Sequence, residues 1–285
     1  MRIAVNGVQL YFDVEGAGLV AAGPAMRERP TLLLLHGGPG ADHATYKPFM
    51  SPFVEHAQVI YLDHRGNGRS DESTPDDWTL SQWADDVAGF LDALDIRKPY
   101  VLGASFGGFV AQAFAAAYPE RVSKLGLVCT APRTDAELSA QMFAELGGAE
   151  IGEIARRHLS QTGGPETEAE FMRRCLPYYC LGEFDRIALG RSIDRPEVRR
   201  HFFRRGGEWH TMDFRSVLAR VECPTLVLHG DRDPILPLPL ARELHAAIRP
   251  GLSRLHIVEN AGHICTVDKP NEWLAALETF LFKTE

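Results

Sequence analysis

The chain has 285 residues, enough for one large α/β core or two small domains and for burial of roughly three quarters of the unfolded surface. Hydrophobic residues make up 45% and charged residues 24%, ordinary globular values that exclude disordered and fibrous classes. The net charge of −8 lacks the basic footprint of phosphate-contacting proteins, so no nucleic-acid partner is expected.

In chain order, residues 3–5 and 8–14 flank Asn6-Gly7. Both positions of that pair tolerate positive φ, so the segment predicts a β-hairpin. Residues 16–29, rich in Gly and Ala and ending at Pro30, read as an enlarged surface loop. The pattern then changes to continuous apolar runs at 32–35, 59–62, 100–102, 125–128 and 225–228, with a similar run at 255–258 interrupted by His256. Short unalternating runs suit strands buried on both faces of a parallel sheet. Between them, Leu80, Trp83, Val87, Leu91 and Leu94 recur at helical spacing, and Thr79 with Gln82 spells a capping box. Residues 106–118 form a second helix stopped by Pro119, and 271–281 a third with Pro270 near its start. Alternating buried strands and helices imply an α/β, mostly parallel, doubly wound sheet with the opening hairpin as its antiparallel edge.

From Pro132 to about Ser216 the alternation stops. Helical patterns at 137–146, 150–159 and 168–176 carry this stretch, which reads as an inserted helical cap. The expected organisation is a core of residues 1–131 and 217–285 with a cap of residues 132–216. Arginines in the cap (Arg156, Arg157, Arg173, Arg174, Arg199, Arg200) are interleaved with Glu150, Glu153, Glu166, Glu168 and Glu170, as on solvated faces.

The five cysteines, Cys129, Cys175, Cys180, Cys223 and Cys265, contain no C-x-x-C pair and read as buried or idle thiols in a reducing compartment. The N-terminus has no basic segment followed by an apolar one, and no apolar stretch approaches the roughly 18 residues of a membrane span. A soluble, cytoplasmic protein with no membrane partner is expected. No H-E-x-x-H or G-x-x-x-x-G-K-[ST] motif occurs, so no metal or cofactor is expected. Oligomeric state is left open by the sequence.

The strongest chemical signal is Gly103-Ala104-Ser105-Phe106-Gly107, which follows the run 100–102 and opens the helix at Phe106. In a strand-turn-helix context, G-x-S-x-G presents a serine on a sharp, strained turn above the sheet. Small flanking residues let the backbone pass closely, and the hydroxyl sits at the positive end of a helix. A serine is a weak nucleophile at its free pKa and needs a base. In this arrangement the chain order is serine, acid, histidine. Candidate acids lie in His229-Gly230-Asp231-Arg232-Asp233-Pro234, and the candidate base is His263 in Asn260-Ala261-Gly262-His263. Both segments lie beyond the C-terminal ends of strands, where open α/β sheets place their ligand sites. Asp231, Asp233 and, more distantly, Asp135 compete for the acid role. His36, His43, His64 and His229 read as loop or strand-end residues, and His201 and His210 lie in the cap. An acyl-transfer site also needs oxyanion donors. Phe106 N–H is one, and Gly38 N–H in His36-Gly37-Gly38-Pro39-Gly40 is the other, since Pro39 has no N–H to give.

The HGGPG loop at 36–40 and the D-x-R-G-x-G-x-S segment at 63–70 resemble the prolyl aminopeptidase, or proline iminopeptidase, branch of the α/β-hydrolases. The resemblance spans most of the chain and is weakest in the cap. It implies the α/β-hydrolase fold. It selects Asp233 over Asp231 through the pattern G-x-x-D followed by a proline, here Pro237, and implies a Ser105–His263–Asp233 triad with Gly38 and Phe106 as oxyanion donors. Prolyl aminopeptidases hold the substrate's amino group with carboxylates near the cap, and Glu208 occupies a position similar to one of them. Pro234 stands where some members carry a second glutamate, and Phe106 where many carry tryptophan. The expected activity is therefore serine hydrolysis of an ester, lactone or amide bond in a small uncharged substrate. Release of N-terminal proline is the alternative, and a non-enzymatic small-ligand receptor on a hydrolase scaffold is the alternative of another class.

Overall fold

A computed structural model of the protein describes residues 1–163, 166–182 and 190–283. Of the expected cap, residues 164–165 and 183–189 lie outside the described residues, as do 284–285 of the expected core.

Asn6 (φ +45°) and Gly7 (φ +82°) make the turn between antiparallel strands β1 (Arg2–Val5) and β2 (Val8–Glu15). Residues 16–29 are not the expected loop. They contain β3 (Leu19–Ala22) and β4 (Ala25–Glu28), a separate two-stranded sheet turning at Gly23 (φ +62°). Its side chains are mostly exposed, so no buried face left a hydrophobic pattern to read.

The apolar runs become β5 (Thr31–Leu35), β6 (Gln58–Leu62), β7 (Tyr100–Ala104), β8 (Lys124–Val128), β9 (Thr225–Gly230) and β10 (Ser253–Val258). The main sheet has eight strands in the order β1-β2-β6-β5-β7-β8-β9-β10. β1 and β2 form the antiparallel edge, and every pairing from β6 to β10 is parallel. Alternate residues of each run enter different cores. Leu33, Leu35, Ile60, Leu62, Val101 and Leu127 pack with helices α1 (Leu80–Ala93) and α2 (Phe106–Ala117). Leu32, Leu34, Val59, Tyr61, Leu102 and Leu228 pack with Trp273, Leu277 and Leu281 of helix Pro270–Phe282. Burial on both faces is why the runs do not alternate. Each fully buried leucine contributes about 1.5–3 kcal/mol. At the start of α1, Thr79 Oγ1 accepts from Gln82 N–H at 3.1 Å, but the Gln82 side chain donates to Asp86 instead of returning to Thr79, so half of the expected box forms.

Among the described residues between Val128 and Thr225 no strand joins the sheet. Helices α3 (Ala136–Gly147), α4 (Ala149–Leu159) and α5 (Glu166–Arg174) and helix Pro196–Phe203 occupy this stretch. Its two ends meet. Arg133 and Asp213 form an isolated antiparallel bridge, and Phe214 N–H donates to Pro132 O at 2.8 Å. Its arginines pair with neighbouring acids, Arg157 with Glu170 and Arg174 with Glu150 among them. Such exposed pairs each contribute little. No helix among the described residues is long and apolar enough to cross a membrane.

Candidate active site

The C-terminal ends of β5, β7, β9 and β10 converge on one edge of the sheet. Ser105 follows β7 directly with φ +52° and ψ −118°, a backbone region that costs a non-glycine residue on the order of 1–3 kcal/mol. The turn is held from several sides. Ser105 N–H donates to Val128 O at 2.9 Å, and Ser105 O accepts from Gly108 N–H and from Thr130 Oγ1–H. The glycines of the motif answer to contact distances. A Cβ on Gly103 would lie 2.2 Å from Gly107 O, and one on Gly107 would lie 1.9 Å from Leu35 O. Ser105 occupies the N-cap position of α2, yet its hydroxyl caps nothing. It is instead 2.9 Å from His263 Nε2.

His263 follows β10, and its Nδ1 is 2.7 Å from Asp233 Oδ2. Asp233 is fully buried in the turn after β9. A carboxylate only accepts, so Nδ1 carries the hydrogen and Nε2 is left to accept from the serine hydroxyl. Asp233 Oδ1 accepts from Ile235 N–H at 2.9 Å and Leu236 N–H at 3.0 Å. Burial opposes a charge on the His263 ring, but attraction to Asp233 and the hydrogen bond to it outweigh that cost, and the imidazole pKa is raised above its ordinary value. Asp231 serves the turn instead, its Oδ1 accepting from Ala261 N–H at 3.2 Å. Asp135 is the N-cap of α3, accepting from Leu138 N–H.

Phe106 is the first residue of α2, where a backbone N–H has no intrahelical acceptor. The facing loop is organised by the segment 63–70. His36 Nδ1–H donates to Gly37 O at 2.7 Å, and its Nε2 accepts from His64 N–H. Asn67 Oδ1 accepts from Gly40 N–H at 2.7 Å, and Tyr46 donates to Leu35 O. Asp63 in turn accepts from His43 and from Arg69 N–H. Gly38 has φ +134°, and a Cβ there would lie 3.0 Å from Ala41 N.

Among the described residues, the helical segment reaches this edge at several points, Arg195 N–H donating to Gly40 O among them. Phe202 packs edge-on against Phe106 at 5.3 Å between ring centroids, and Tyr179 packs edge-on against His263 at 5.3 Å. Tyr179 O also accepts from Ile264 N–H. Asp268 ties the same loops together, accepting from Leu181, Gly182 and Gly262 N–H groups. No short motif announces Tyr179 or Asp268, because Tyr179 meets His263, and Asp268 meets Leu181 and Gly182, across long sequence separations.

Glu208 is joined to α1. Its Oε2 accepts from Leu80 N–H at 2.7 Å, and burial pushes its carboxyl pKa up. His201 stacks edge-on against Trp78, and His210 contacts Phe203 O. All five cysteines are free and buried, and Cys129 Sγ lies 3.2 Å from Cys265 Sγ. Cys129, His229 and Asp233 bring metal-ligand atoms within 4.8 Å of one another. A cation there would compete with His263 for Asp233 Oδ2, the oxygen that already holds the imidazole.

The sheet order, the strained serine turn and the Asp233–His263–Ser105 chain define a hydrolase-type α/β architecture. Residues 30–270 match the family model for the α/β hydrolase fold, and the chain belongs to that family. It is similar to proline iminopeptidase PfmaB of Pestalotiopsis fici, with 29% identity over 279 residues, 94% of this chain and 94% of the relative. Among solved structures, it is similar to a thermophilic esterase from Thermogutta terrifontis at 26% identity, covering 99% of this chain and 97% of that one with a TM-score of 0.72. It also shares its fold with proline iminopeptidase from Mycobacterium smegmatis, at 22% identity, 99% and 97% coverage and a TM-score of 0.80.

Proposed function

We propose that this protein is a serine hydrolase that cleaves an ester, lactone or amide bond of a small uncharged substrate through an acyl-enzyme. The observation that carries the proposal is the unbroken hydrogen-bond chain from Asp233 through His263 to Ser105. Ser105 Oγ attacks the carbonyl carbon while its proton passes to His263 Nε2. Asp233 keeps the ring in the required tautomer and stabilises the imidazolium. The oxyanion is received by the Gly38 and Phe106 N–H groups, each worth about 10²- to 10³-fold in rate. His263 then gives its proton to the leaving oxygen or nitrogen. Water, deprotonated by His263, attacks the acyl-enzyme and releases the acid and free Ser105. Residues 132–216 act as the cap that covers this chemistry, through Tyr179 and Phe202.

The substrate class rests on Glu208. An ammonium brought under the cap needs a carboxylate partner, because burying it unpaired is costly. Glu208 is already engaged by the N-terminus of α1 at Leu80, burial disfavours its charged form, and Pro234 supplies no second carboxylate. The second reading, release of N-terminal proline, is favoured by the similarity to the Pestalotiopsis fici iminopeptidase.

A fluorophosphonate probe should label Ser105, and Ser105→Ala should abolish both labelling and turnover. Labelling at another residue would refute the nucleophile. The substrate panel is proline p-nitroanilide, its N-acetyl form and a p-nitrophenyl ester, with wild type and Glu208→Gln compared. We expect the ester to be turned over fastest and the free amine to give no advantage in either protein. A strong preference for the free amine, lost in Glu208→Gln, would establish the iminopeptidase instead.

A further inference from the structure

Asp233 holds His263 only while its own carboxylate is held. Oδ1 has two backbone donors, but Oδ2, the oxygen facing His263, has none from the main chain in its own turn. A second side chain approaches it. His229, in β9, is fully buried, with Nε2 2.6 Å from Leu236 O and 3.3 Å from Asp233 Oδ2. Both neighbours can only accept, so Nε2 carries the ring hydrogen; that hydrogen is bonded to Leu236 O, and Asp233 Oδ2 lies beside the bond without sharing it. The other nitrogen, Nδ1, is buried with no hydrogen-bond partner among the described residues. Burial lowers the ring's pKa, so the ring stays neutral and keeps this tautomer. A leucine or phenylalanine would fill the same space without leaving an orphaned acceptor, which costs about 1–3 kcal/mol. The single working atom of the ring is Nε2.

We infer that His229 is a positioning residue for Asp233: its Nε2–H clamps Leu236 O, and Leu236 N–H in turn holds Asp233 Oδ1, so that the carboxylate stays aimed at His263 Nδ1. The inference rests on the proposed triad, since a carboxylate with no imidazole to hold would gain nothing from the clamp. The groups facing the His229 ring are Asp233, His263 and the Cys129 thiol.

Glutamine and asparagine separate this role from simple packing. The Gln side-chain amide places its nitrogen where His229 has Nε2, and Asn places it where His229 has the unused Nδ1. His229→Leu and His229→Asn should lower kcat by about 10- to 100-fold, the size of leaving the buried Leu236 O without its donor, with KM little changed. His229→Gln should restore most of it. The acid limb of the kcat profile should move to lower pH in the Leu and Asn variants, because a displaced Asp233 no longer raises the His263 pKa. In a Ser105→Ala background, the low-field proton resonance of the His263 Nδ1–H···Asp233 bond should persist with Gln and vanish with Leu or Asn. That resonance needs no turnover. Absence of activity in the wild type would sink the hydrolase reading while leaving the positioning test intact. Equal behaviour of Asn and Gln, or a fall in kcat with the resonance and acid limb unmoved, would overturn the inference. Where the Leu variant does not fold, the Asn–Gln comparison decides.

Discussion

Ser105, His263 and Asp233 come from three separate strand ends, yet their polar atoms fall within 2.7–2.9 Å of one another along the chain of bonds. The two aspartates two residues apart show how finely the turn sorts roles. Asp233 points an oxygen at the imidazole, whereas Asp231 ties down Ala261 N–H. Asp233→Asn should therefore lower kcat by about 10³- to 10⁴-fold, since an amide nitrogen facing Nδ1 favours the wrong tautomer. Asp231→Asn, which keeps an acceptor oxygen for Ala261, should stay within about tenfold by the general range for such bonds. The reverse order in steady-state assays would move the acid role to Asp231. The raised pKa of His263 also sets the pH dependence. A base must be neutral, so activity should rise with pH through a limb lying above the ordinary imidazole value of about 6.5. A limb at or below that value in kcat/KM would contradict the Asp233 pairing.

The strand-turn-helix unit from β7 to α2 depends on backbone approach more than on side-chain packing. Gly107 lets the first turn of α2 press against the end of β5, where a methyl group would sit 1.9 Å from Leu35 O and 2.6 Å from His36 O. Both neighbours are main chain and cannot swing aside. Gly107→Ala should cost more than about 4 kcal/mol, in the severe range for single substitutions, or yield no folded protein. Gly23, in the exposed β3–β4 turn, has nothing within 4 Å of an added Cβ, so Gly23→Ala should cost only about 1–2 kcal/mol for its positive φ. Urea unfolding midpoints check the contrast, and similar losses at both sites would show that close approach is not what the motif glycine provides.

Across the whole molecule, the sheet's two-sided core and the helical segment bury several histidines away from water. His158 in α4 is the clearest case. It stacks on Phe171 at 4.4 Å, and burial pushes its pKa down to about 4. In the unfolded chain the same ring titrates near 6.5. Above that value neither state is protonated and the residue adds no pH dependence. As pH falls from about 6.5 to about 4, the unfolded state takes up the proton first and stability drops, by on the order of 3 kcal/mol when the interval is complete. His36, His64 and His229 are lowered in the same direction and steepen the acid slope. His158→Phe, which keeps the aromatic contact, should flatten the loss measured by urea unfolding between pH 7 and 4.5. An unchanged slope would show that His158 is not protected from protonation in the folded protein.

The parallel strands, the helices α1 and α2 and the serine turn were legible in the amino-acid order because their causes are local: apolar runs buried on two faces, helical spacing, and glycines at a tight turn. The separate β3–β4 hairpin was not, since an exposed ribbon needs no apolar pattern. Motif spacing placed two aspartates after β9, and resemblance favoured Asp233. Which oxygen meets His263 follows from the turn geometry and from β10 lying beside β9. Resemblance offers Glu208 as a cap carboxylate for a substrate amine, but folding brings it to Leu80 N–H, far away in sequence. His229 likewise looks like an ordinary strand-end residue until its Nε2 is seen between Leu236 O and Asp233 Oδ2. Turn sterics and hydrophobic period act over a few residues and are written there, whereas the partner of a buried polar atom depends on strand order and on which distant segments the core draws together.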